Sequence, residues 1–382
     1  MKKIIVIGGG IGGLCTTLML QKNGDDVQLF EAAAQIKAVG AGIGVGSNAL
    51  AALYETGVGE QIEQRGNPLH EMIFQNEQGV QLNKMDFTKF AQEFGLNSFT
   101  IHRADLHHVL YQSIKPNTIH LNKRCFDFKQ TKTGVEVYFD DSTQVEGDII
   151  IAADGIHSVF RNKLIPHAKT RYAGYTCWRG VVETDDHRFT KQTSYELWGR
   201  AGRIGIVPLK GKQVYWFACV NGKPNDPKYK NRTPMDVAQI FSSFPEHITQ
   251  LIRLTKEDEL LHHDIYDLKP LNQFVYGRIV LLGDAAHATT PNMGQGAGQA
   301  LEDAIVFVKS LNKEKDLHKA FNRYENKRIK RTKKIIKMSR NIGIGAQLEN
   351  PFAIAIRNKL FPYVPSAILL QKFKYLLNID LS

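Results

Sequence analysis

Near its amino end the chain reads Lys3-Ile-Ile-Val-Ile-Gly8-Gly-Gly10-Ile-Gly-Gly13, an apolar run followed at once by a Gly-x-Gly-x-x-Gly motif. The apolar run predicts a buried strand, and residues 14–23 predict a helix that ends at Gly24. A second predicted strand, residues 27–30, ends at Glu31. The motif therefore lies between a strand and a helix, the context in which its glycines acquire a function.

This arrangement indicates a dinucleotide-binding site. Gly8 permits the tight turn, Gly10 lets a pyrophosphate approach the backbone, and Gly13 lets the helix pack closely against the strand. Glu31 is placed to accept hydrogen bonds from ribose hydroxyls, and its charge would repel a 2′-phosphate. The site is therefore predicted to favour FAD or NAD over NADP.

Two later strands are each predicted to deliver a carboxylate to one edge of the sheet. The run 148–153 ends at Asp154, and the run 279–282 leads through Gly283 to Asp284. In an open α/β sheet, ligands bind outside the carboxyl ends of the strands. The Gly- and Pro-rich segment after Asp284 leads into a predicted helix at 299–312, whose free N–H groups favour an anion. Taken alone, this segment also fits an ordinary strand-to-helix turn.

Three further features leave alternatives open. Residues 40–48 contain four glycines, including Gly42, and fit either close approach to a flat or phosphorylated ligand or a plain flexible loop. Arg103 begins a predicted helix, from which its guanidinium can reach a phosphate or form a surface ion pair. His287 is given a structural role, because histidines usually serve hydrogen bonding.

Composition argues against several other functions. The net charge is +11, but nine Lys and Arg lie between residues 323 and 340, where an apolar stripe favours a helix with a solvated basic face over a nucleic-acid or acidic-lipid patch. Four scattered cysteines form no Cys-x-x-Cys pair, which argues against structural zinc and dithiol chemistry. The absence of a signal-peptide or membrane-spanning segment favours the cytoplasm, without integral membrane association.

The order of the motifs resembles that of the single-component FAD-dependent aromatic hydroxylases, the family of para-hydroxybenzoate and salicylate hydroxylases. The resemblance covers nearly the whole chain: the glycine motif, then Asp154-Gly-Ile-His-Ser-Val-Phe-Arg161, then Gly283-Asp284 with Pro291-Asn-Met-Gly-Gln-Gly296. It implies FAD as the bound cofactor. The residues that it assigns to FAD are Gly8, Gly10, Gly13, Glu31, Gly42, Arg103, Asp154 and Asp284, with Gly294, Gln295, Gly296 and Ala297 along the pyrimidine edge of the flavin.

The resemblance also implies a reaction. NADH or NADPH reduces FAD, O2 forms a flavin C4a-hydroperoxide, and one oxygen atom passes to a small aromatic or heteroaromatic compound without a metal. The chain has no second Gly-x-Gly-x-x-Gly motif, so the nicotinamide cofactor is expected to bind transiently. Within the same fold, epoxidation of an isoprenoid and modification of a polycyclic antibiotic such as tetracycline remain alternatives.

The pattern changes in the middle of the chain. Residues 171–276 form long alternating runs that predict an antiparallel sheet, to which a hairpin at 71–97 is added. The predicted fold class is α/β: a Rossmann-like FAD-binding domain, an inserted antiparallel β-sheet substrate domain and a C-terminal helical tail. The FAD-binding parts are predicted at 1–70, 98–170 and 277–340 and the tail at 341–382, in a monomer or homodimer.

The predicted substrate sheet offers candidate catalytic residues. Arg203 and Tyr215 are spaced as in the flavin-dependent urate hydroxylases, where a similar Arg and Tyr face the substrate. An Arg beside an anionic ring, with a phenol to manage a proton, suits hydroxylation of a deprotonated ring. Cys177 stands where those enzymes carry an amide, which argues against urate itself. In the alternative interpretation, Arg203 lies at the surface and Tyr215 fills the core, and neither contacts the substrate. Arg179 and Trp198 are further candidates for the pocket.

Overall fold

The computed structural model describes residues 2–36, 40–189 and 191–377. Within these ranges the strands are, in chain order, β1 (Lys3–Ile7), β2 (Asp26–Phe30), β3 (Gly42–Val45), β4 (Asn67–Pro68), β5 (Glu71–Asn76), β6 (Gln81–Asp86), β7 (Phe99–His102), β8 (Ile119–His120), β9 (Cys125–Gln130), β10 (Val135–Phe139), β11 (Gln144–Gly147), β12 (Ile149–Ala152), β13 (Thr170–Glu183), β14 (Thr193–Trp198), β15 (Arg203–Pro208), β16 (Gln213–Asn221), β17 (Leu261–Leu268), β18 (Val275–Tyr276) and β19 (Ile279–Leu281).

The helices are α1 (Ile11–Lys22), α2 (Ser47–Thr56), α3 (Gly59–Glu63), α4 (Thr88–Phe94), α5 (Arg103–Gln112), α6 (Val159–Leu164), α7 (Pro234–Ile240), α8 (Glu246–Arg253), α9 (Asp284–His287), α10 (Gly296–Lys313), α11 (Leu317–Ala346), α12 (Pro351–Leu360) and α13 (Ser366–Leu377). Short 3-10 turns lie at Pro227–Tyr229, Glu257–Glu259, Pro291–Met293 and Phe361–Tyr363.

The sheet that carries the glycine motif has the strand order β18-β19-β12-β1-β2-β8. All its strands are parallel except the edge strand β18. Ile4, Ile5 and Val6 of β1 are at most 1% exposed, so both faces of the sheet are covered, as in other parallel sheets. Ile7 and Ala152 lie side by side at the ends of their strands. The segments that follow these strands therefore leave the sheet at the same edge.

A second, seven-stranded sheet has the order β17-β13-β16-β15-β14-β5-β6 and is antiparallel except for the pairing of β14 with β5. One of its faces packs against α7 and α8 through a core that includes Trp178, Trp216 and Phe241. Because side chains alternate along a strand, the odd-numbered residues of β13 and β16 form the opposite face. The predicted fold class, a Rossmann-like domain combined with a largely antiparallel sheet, is confirmed.

Two local predictions differ from the structure. Residues 42–45 form the strand β3, which pairs with β7, so the plain flexible loop is wrong for that part of the glycine-rich segment. The helix predicted at 299–312 begins at Gly296. Glycine is a poor helix former, so the glycine-rich start of α10 hides the boundary from sequence patterns.

The prediction of a solvated basic face on residues 323–340 is wrong for part of that run. Arg328 of α11 is 1% exposed, and its Nε donates to Asp303 Oδ1 at 2.5 Å, while another of its nitrogens donates to Glu302. Arg331 donates to both oxygens of Glu302, at 2.6 and 2.7 Å, and Arg340 pairs with buried Asp267. Buried carboxylates on neighbouring elements require partners, and these arginines supply them.

Acid is expected to weaken this network. Burial by itself would raise the pKa of Glu302 and Asp303, but Arg328 next to both, with His287 next to Asp303, holds each pKa below its ordinary value. A carboxyl group whose pKa is lowered in the folded state stabilises that state when it is ionised. This stabilisation is fully present above the ordinary pKa values, 4.5 for Glu and 3.8 for Asp. It is lost as the pH falls through the lowered pKa values of the folded state. Urea unfolding should therefore show a smaller acid-induced loss of stability in an Arg328→Met variant, and parallel pH profiles would contradict this.

Candidate active site

The glycine motif is shaped by packing at two positions and left open at a third. Gly8 has φ +107°, and a Cβ atom there would lie 2.4 Å from the carbonyl oxygen of Ala153. A Cβ at Gly13 would lie 1.9 Å from the carbonyl oxygen of Gly8, so only glycine lets α1 pack this closely. A Cβ at Gly10 would meet no atom within 4 Å. The backbone at the start of α1 is therefore accessible to a ligand, and its unpaired N–H groups favour a phosphate.

Glu31 closes this loop from the next strand. Its Oε2 accepts a hydrogen bond from Gly9 N at 2.6 Å, and its Oε1 accepts one from Ala33 N at 2.8 Å. A carboxylate offers about four lone-pair sites, so Glu31 can also accept from ribose hydroxyls. An open pocket of about 500 Å³ lies here, lined by Gly9, Gly10, Glu31, Ala33, Ala34, Gln35, Ile36, Arg103 and His107.

Arg103 and His107 form the other wall of the pocket, and sequence reasoning missed His107. Its Nε2 donates to the carbonyl oxygen of Gly9 at 2.7 Å. The two residues lie four positions apart, on the same side of α5, and this spacing could have identified His107. Burial lowers the pKa of Arg103, the positive charge of Arg179 lowers it further, and Asp284 opposes them. Arg103 thus lines the nucleotide pocket and lies within electrostatic range of Arg179 on the second sheet.

Asp154 lies at the end of β12 with one oxygen of its carboxylate unused. Oδ2 accepts from Val159 N at 2.8 Å, whereas Oδ1 is buried without a hydrogen-bond partner among the described residues. Burial raises the pKa of this carboxyl. Buried polar atoms are nearly always paired in native proteins. The unpaired oxygen therefore indicates a donor that a ligand would supply.

Asp284 follows β19 at the start of α9, where it is exposed. Neighbouring protein atoms raise the pKa of its carboxyl, while His287, Arg103 and Arg161 oppose that effect. His287 itself is 3% exposed and lies 2.5 Å from Asp303, so its role is structural.

The segment from Gly294 to Ala297 connects a 3-10 turn with α10. Gly294 has φ +61°, and Cβ atoms at Gly294 and Gly296 would meet no atom within 4 Å. The Gln295 side chain turns inward, where its Oε1 accepts from Asn48 Nδ2 at 3.1 Å. No side chain caps the start of α10, so the first backbone N–H groups of α10 and its positive dipole end face the open side.

Gly42 lies between the two predicted sites. A Cβ atom there would lie 2.6 Å from Tyr215 Cβ. The missing side chain therefore lets β3 approach Tyr215, a reason that the glycine-rich segment did not reveal.

Arg203 lies on the sheet face opposite α7 and α8, where it is 2% exposed. Its NH1 donates to Glu196 Oε1 at 2.9 Å, and its NH2 donates to Asn292 of the turn before Gly294. The guanidinium also lies over the rings of Tyr175 and Phe217, at 5.4 and 5.7 Å. The alternative prediction that Arg203 lies at the surface is wrong. Its side chain is buried and joins the second sheet to the turn that precedes Gly294.

Of the other candidate residues of this sheet, Tyr215 and Arg179 have polar groups that the described residues leave free to meet a ligand, whereas Trp198 contacts other protein side chains. Tyr215 is partly exposed, and burial raises the pKa of its phenol. Arg179 donates through NH2 to His263 Nδ1 at 2.9 Å, while its buried Nε has no partner among the described residues. Trp198 instead donates to Glu196 Oε1 at 2.9 Å and stacks on Phe361. Trp198 and Arg203 therefore share the same acceptor on the same face of the sheet.

Cys177 faces the same side as Arg179 and Arg203. It is 3% exposed and pairs across the strands with Cys219, which is 1% exposed. The pKa of Cys177 is lowered, first by a hydrogen bond from Cys219 and then by the two arginines. This face therefore carries a buried sulfur atom close to both arginines.

Comparison with known proteins agrees with this geometry. A family described as FAD binding domain matches residues 1–339. The chain is 36% identical over 363 residues to the aurachin C monooxygenase/isomerase of Stigmatella aurantiaca, covering 95% of this chain and 94% of that one. It is 30% identical over 340 residues to the FAD-dependent urate hydroxylase of Klebsiella pneumoniae, covering 88% of each chain.

Solved structures give the same result. Klebsiella pneumoniae HpxO complexed with FAD and uric acid has a TM-score of 0.92 at 26% identity, covering 99% of this chain and 97% of that one. A salicylate hydroxylase substrate complex has a TM-score of 0.81 at 26% identity, covering 100% and 96%. The resemblance to the single-component aromatic hydroxylases is confirmed, and the chain belongs to the FAD-dependent monooxygenases that share this FAD-binding domain.

Proposed function

We propose that this enzyme uses NADH or NADPH, O2 and bound FAD to hydroxylate a small aromatic or heteroaromatic compound that carries a negative charge. The observation that carries the proposal is the sheet face on which Arg179, Arg203 and Tyr215 lie together beside the glycine-rich loop. Relatives that act on urate and on aurachin C support a heteroaromatic substrate.

The residues around the crevice fit FAD. The open backbone at Gly10 and the Glu31 carboxylate would hold the ADP half, with Arg103 and the unpaired Asp154 oxygen beside it. The Asp284 carboxylate would accept hydrogen bonds from the ribityl hydroxyls and would lie near the pyrophosphate. When bound, reduced FAD supplies the activation of O2. Backbone N–H groups at the start of α10 would stabilise negative charge on the flavin ring system.

The charges of the second sheet favour an anionic ring as substrate. Arg203 uses two of its five N–H donors in the contacts with Glu196 and Asn292, and the buried Nε of Arg179 lacks a partner among the described residues. Charge-assisted hydrogen bonds of this kind are about twice as strong as neutral ones. Because burial raises the pKa of Tyr215, its phenol stays protonated at neutral pH and donates a hydrogen bond to the substrate.

The same charges argue against epoxidation of an isoprenoid. A hydrocarbon would leave the buried Nε of Arg179 without an acceptor, at a desolvation cost. A small anionic ring would supply that acceptor.

The proposal is tested with the FAD-loaded protein and a panel of urate, salicylate, hydroxybenzoates, hydroxynicotinates and 4-quinolones. The rate of NADH and NADPH oxidation is measured with and without each compound, and products are identified by mass. We expect at least one compound to accelerate oxidation and to gain one oxygen. A protein that binds FAD but whose oxidation of NADH and NADPH is stimulated by none of the anionic compounds would overturn the proposed substrate class.

Arg179→Gln is expected to weaken substrate binding while sparing FAD. Loss of one charged hydrogen bond of about 1.5–3 kcal/mol should raise KM for the stimulating compound roughly ten- to a hundredfold. Arg179 is preferred to Arg203 as a test because it holds no buried carboxylate. The matched control, Arg188→Gln, removes an exposed arginine of the same chain that pairs with Asp186. Equal KM values in the two variants would exclude Arg179 from the substrate site.

A further inference from the structure

The C-terminal helices carry an unusual concentration of exposed apolar side chains. Phe352, Ile356 and Leu360 of α12 are 76%, 43% and 60% exposed, and Tyr363 in the following turn is 80% exposed. They lie three or four residues apart and therefore on one side of the helix. No residue of α12 is buried. We call these four residues the apolar stripe.

The inner side of α12 is firmly attached to the substrate sheet. Arg357 lies over the Trp198 ring at 5.1 Å and donates to the Trp198 carbonyl oxygen at 3.3 Å. Phe361 stacks on Trp198 with ring centres 5.2 Å apart and meets Phe74 edge-on. The helix is thus held in place by one side, and the apolar stripe on the other side is a fixed feature of the surface.

The neighbouring helix contributes positive charge. Lys330, Lys333 and Lys337 of α11 are exposed on one side of the helix, and that side ends at Ile344, which is 62% exposed. Between residues 326 and 377 the sequence has twelve Lys and Arg, of which Arg328, Arg331 and Arg340 are bound to buried carboxylates, and Glu349 is the sole acidic residue. Exposed apolar side chains combined with exposed lysines are the pattern of proteins that lie on an anionic membrane surface.

We propose that this face, formed by the apolar stripe and the lysines of α11, docks on the surface of a membrane containing anionic lipid. The lysines would bind lipid headgroups, and the apolar stripe would enter the boundary between headgroups and acyl chains. Docking is peripheral: among the helices in the described ranges, none is long and apolar enough to cross a bilayer. A second copy of the chain is a poorer occupant, because two such faces would bring like charges together.

The test is co-sedimentation of the FAD-loaded protein with vesicles of phosphatidylglycerol and, separately, of phosphatidylcholine. We expect binding to phosphatidylglycerol vesicles that weakens as salt is added, because salt screens the lysines. We expect the triple variant Phe352→Ser, Ile356→Ser, Leu360→Ser to bind at least about tenfold more weakly. Lys330→Gln, Lys333→Gln, Lys337→Gln removes about 1 kcal/mol per lysine and should weaken binding by about a hundredfold, with a smaller salt dependence.

Matched controls separate this face from general stickiness and from misfolding. Phe126→Ser, Met235→Ser, Leu254→Ser removes three side chains that are 58%, 60% and 57% exposed elsewhere. Lys132→Gln, Lys169→Gln, Lys223→Gln removes three exposed lysines elsewhere. Bound flavin and the thermal midpoint report folding in every variant. Controls that weaken binding as much as the test variants, or no binding to phosphatidylglycerol, would overturn the proposal. The proposal would also be overturned if the unmodified protein is a dimer without vesicles and the apolar-stripe variant is a monomer. The apolar stripe would then bind a second copy of the chain.

Discussion

Replacing Gly10 with valine is expected to weaken FAD binding about a hundredfold without unfolding the chain. Gly10 has φ −73° and ψ 178°, a conformation open to every residue, and a Cβ atom there meets no protein atom within 4 Å. The new side chain would instead fill the space over the start of α1 that a pyrophosphate needs. Loss of the phosphate hydrogen bonds should cost about 3 kcal/mol, or about a hundredfold in Kd.

The measurement is a fluorescence titration of flavin-free protein with FAD, together with its thermal unfolding midpoint. Gly345→Val on α11 is the control, because a Cβ atom there also meets no atom within 4 Å. Gly13→Val should differ from both, since its Cβ would collide with the Gly8 carbonyl oxygen and lower stability directly. A Gly10→Val protein that binds FAD as tightly as the unmodified chain would place the cofactor elsewhere.

Arg328→Met is expected to produce the largest loss of stability among single changes outside the apolar core. Removing the guanidinium leaves Glu302 and Asp303 buried without their main cationic partner. Breaking a buried pair by removing one partner typically costs about 3–5 kcal/mol. The free energy of unfolding is measured by urea titration of the FAD-loaded protein.

Lys330→Met serves as the matched control on the same helix. Lys330 is exposed and follows Arg328 by two residues. Surface substitutions usually change stability by less than about 0.5 kcal/mol. Equal losses in the two variants would mean that the buried network contributes no more to stability than the solvated lysines.

The parts of the site that local sequence determines could be predicted. Gly8, Gly10, Gly13 and Glu31 lie within one strand-turn-helix-strand unit, and their roles follow from the geometry of that unit. The same holds for Asp284. A buried strand that ends in Gly-Asp brings that carboxylate to the carboxyl edge of an open sheet, where ligands bind. These residues remain proposed cofactor ligands, and the structure adds the space and the unpaired oxygen that suit them.

Long-range contacts could not be predicted in the same way. The link from Arg203 to Asn292 joins residues 89 positions apart, and no periodicity in either segment records it. The burial of Arg328 was hidden because a basic run is usually solvated, whereas Glu302 and Asp303 lie on a different helix. Gly42 was assigned to a ligand, but its contact with Tyr215 depends on how β3 meets the second sheet.

The central claim is the proposal that this chain transfers an oxygen atom from O2 to an anionic aromatic or heteroaromatic ring, and isotopically labelled O2 tests it most directly. The FAD-loaded protein is supplied with NADH or NADPH and the compound that best stimulates oxidation, and the product is analysed by mass spectrometry. We predict one labelled oxygen atom in the product and none when the label is in water. Product oxygen derived from water, or stimulated oxidation that yields only hydrogen peroxide with every compound, would contradict the account.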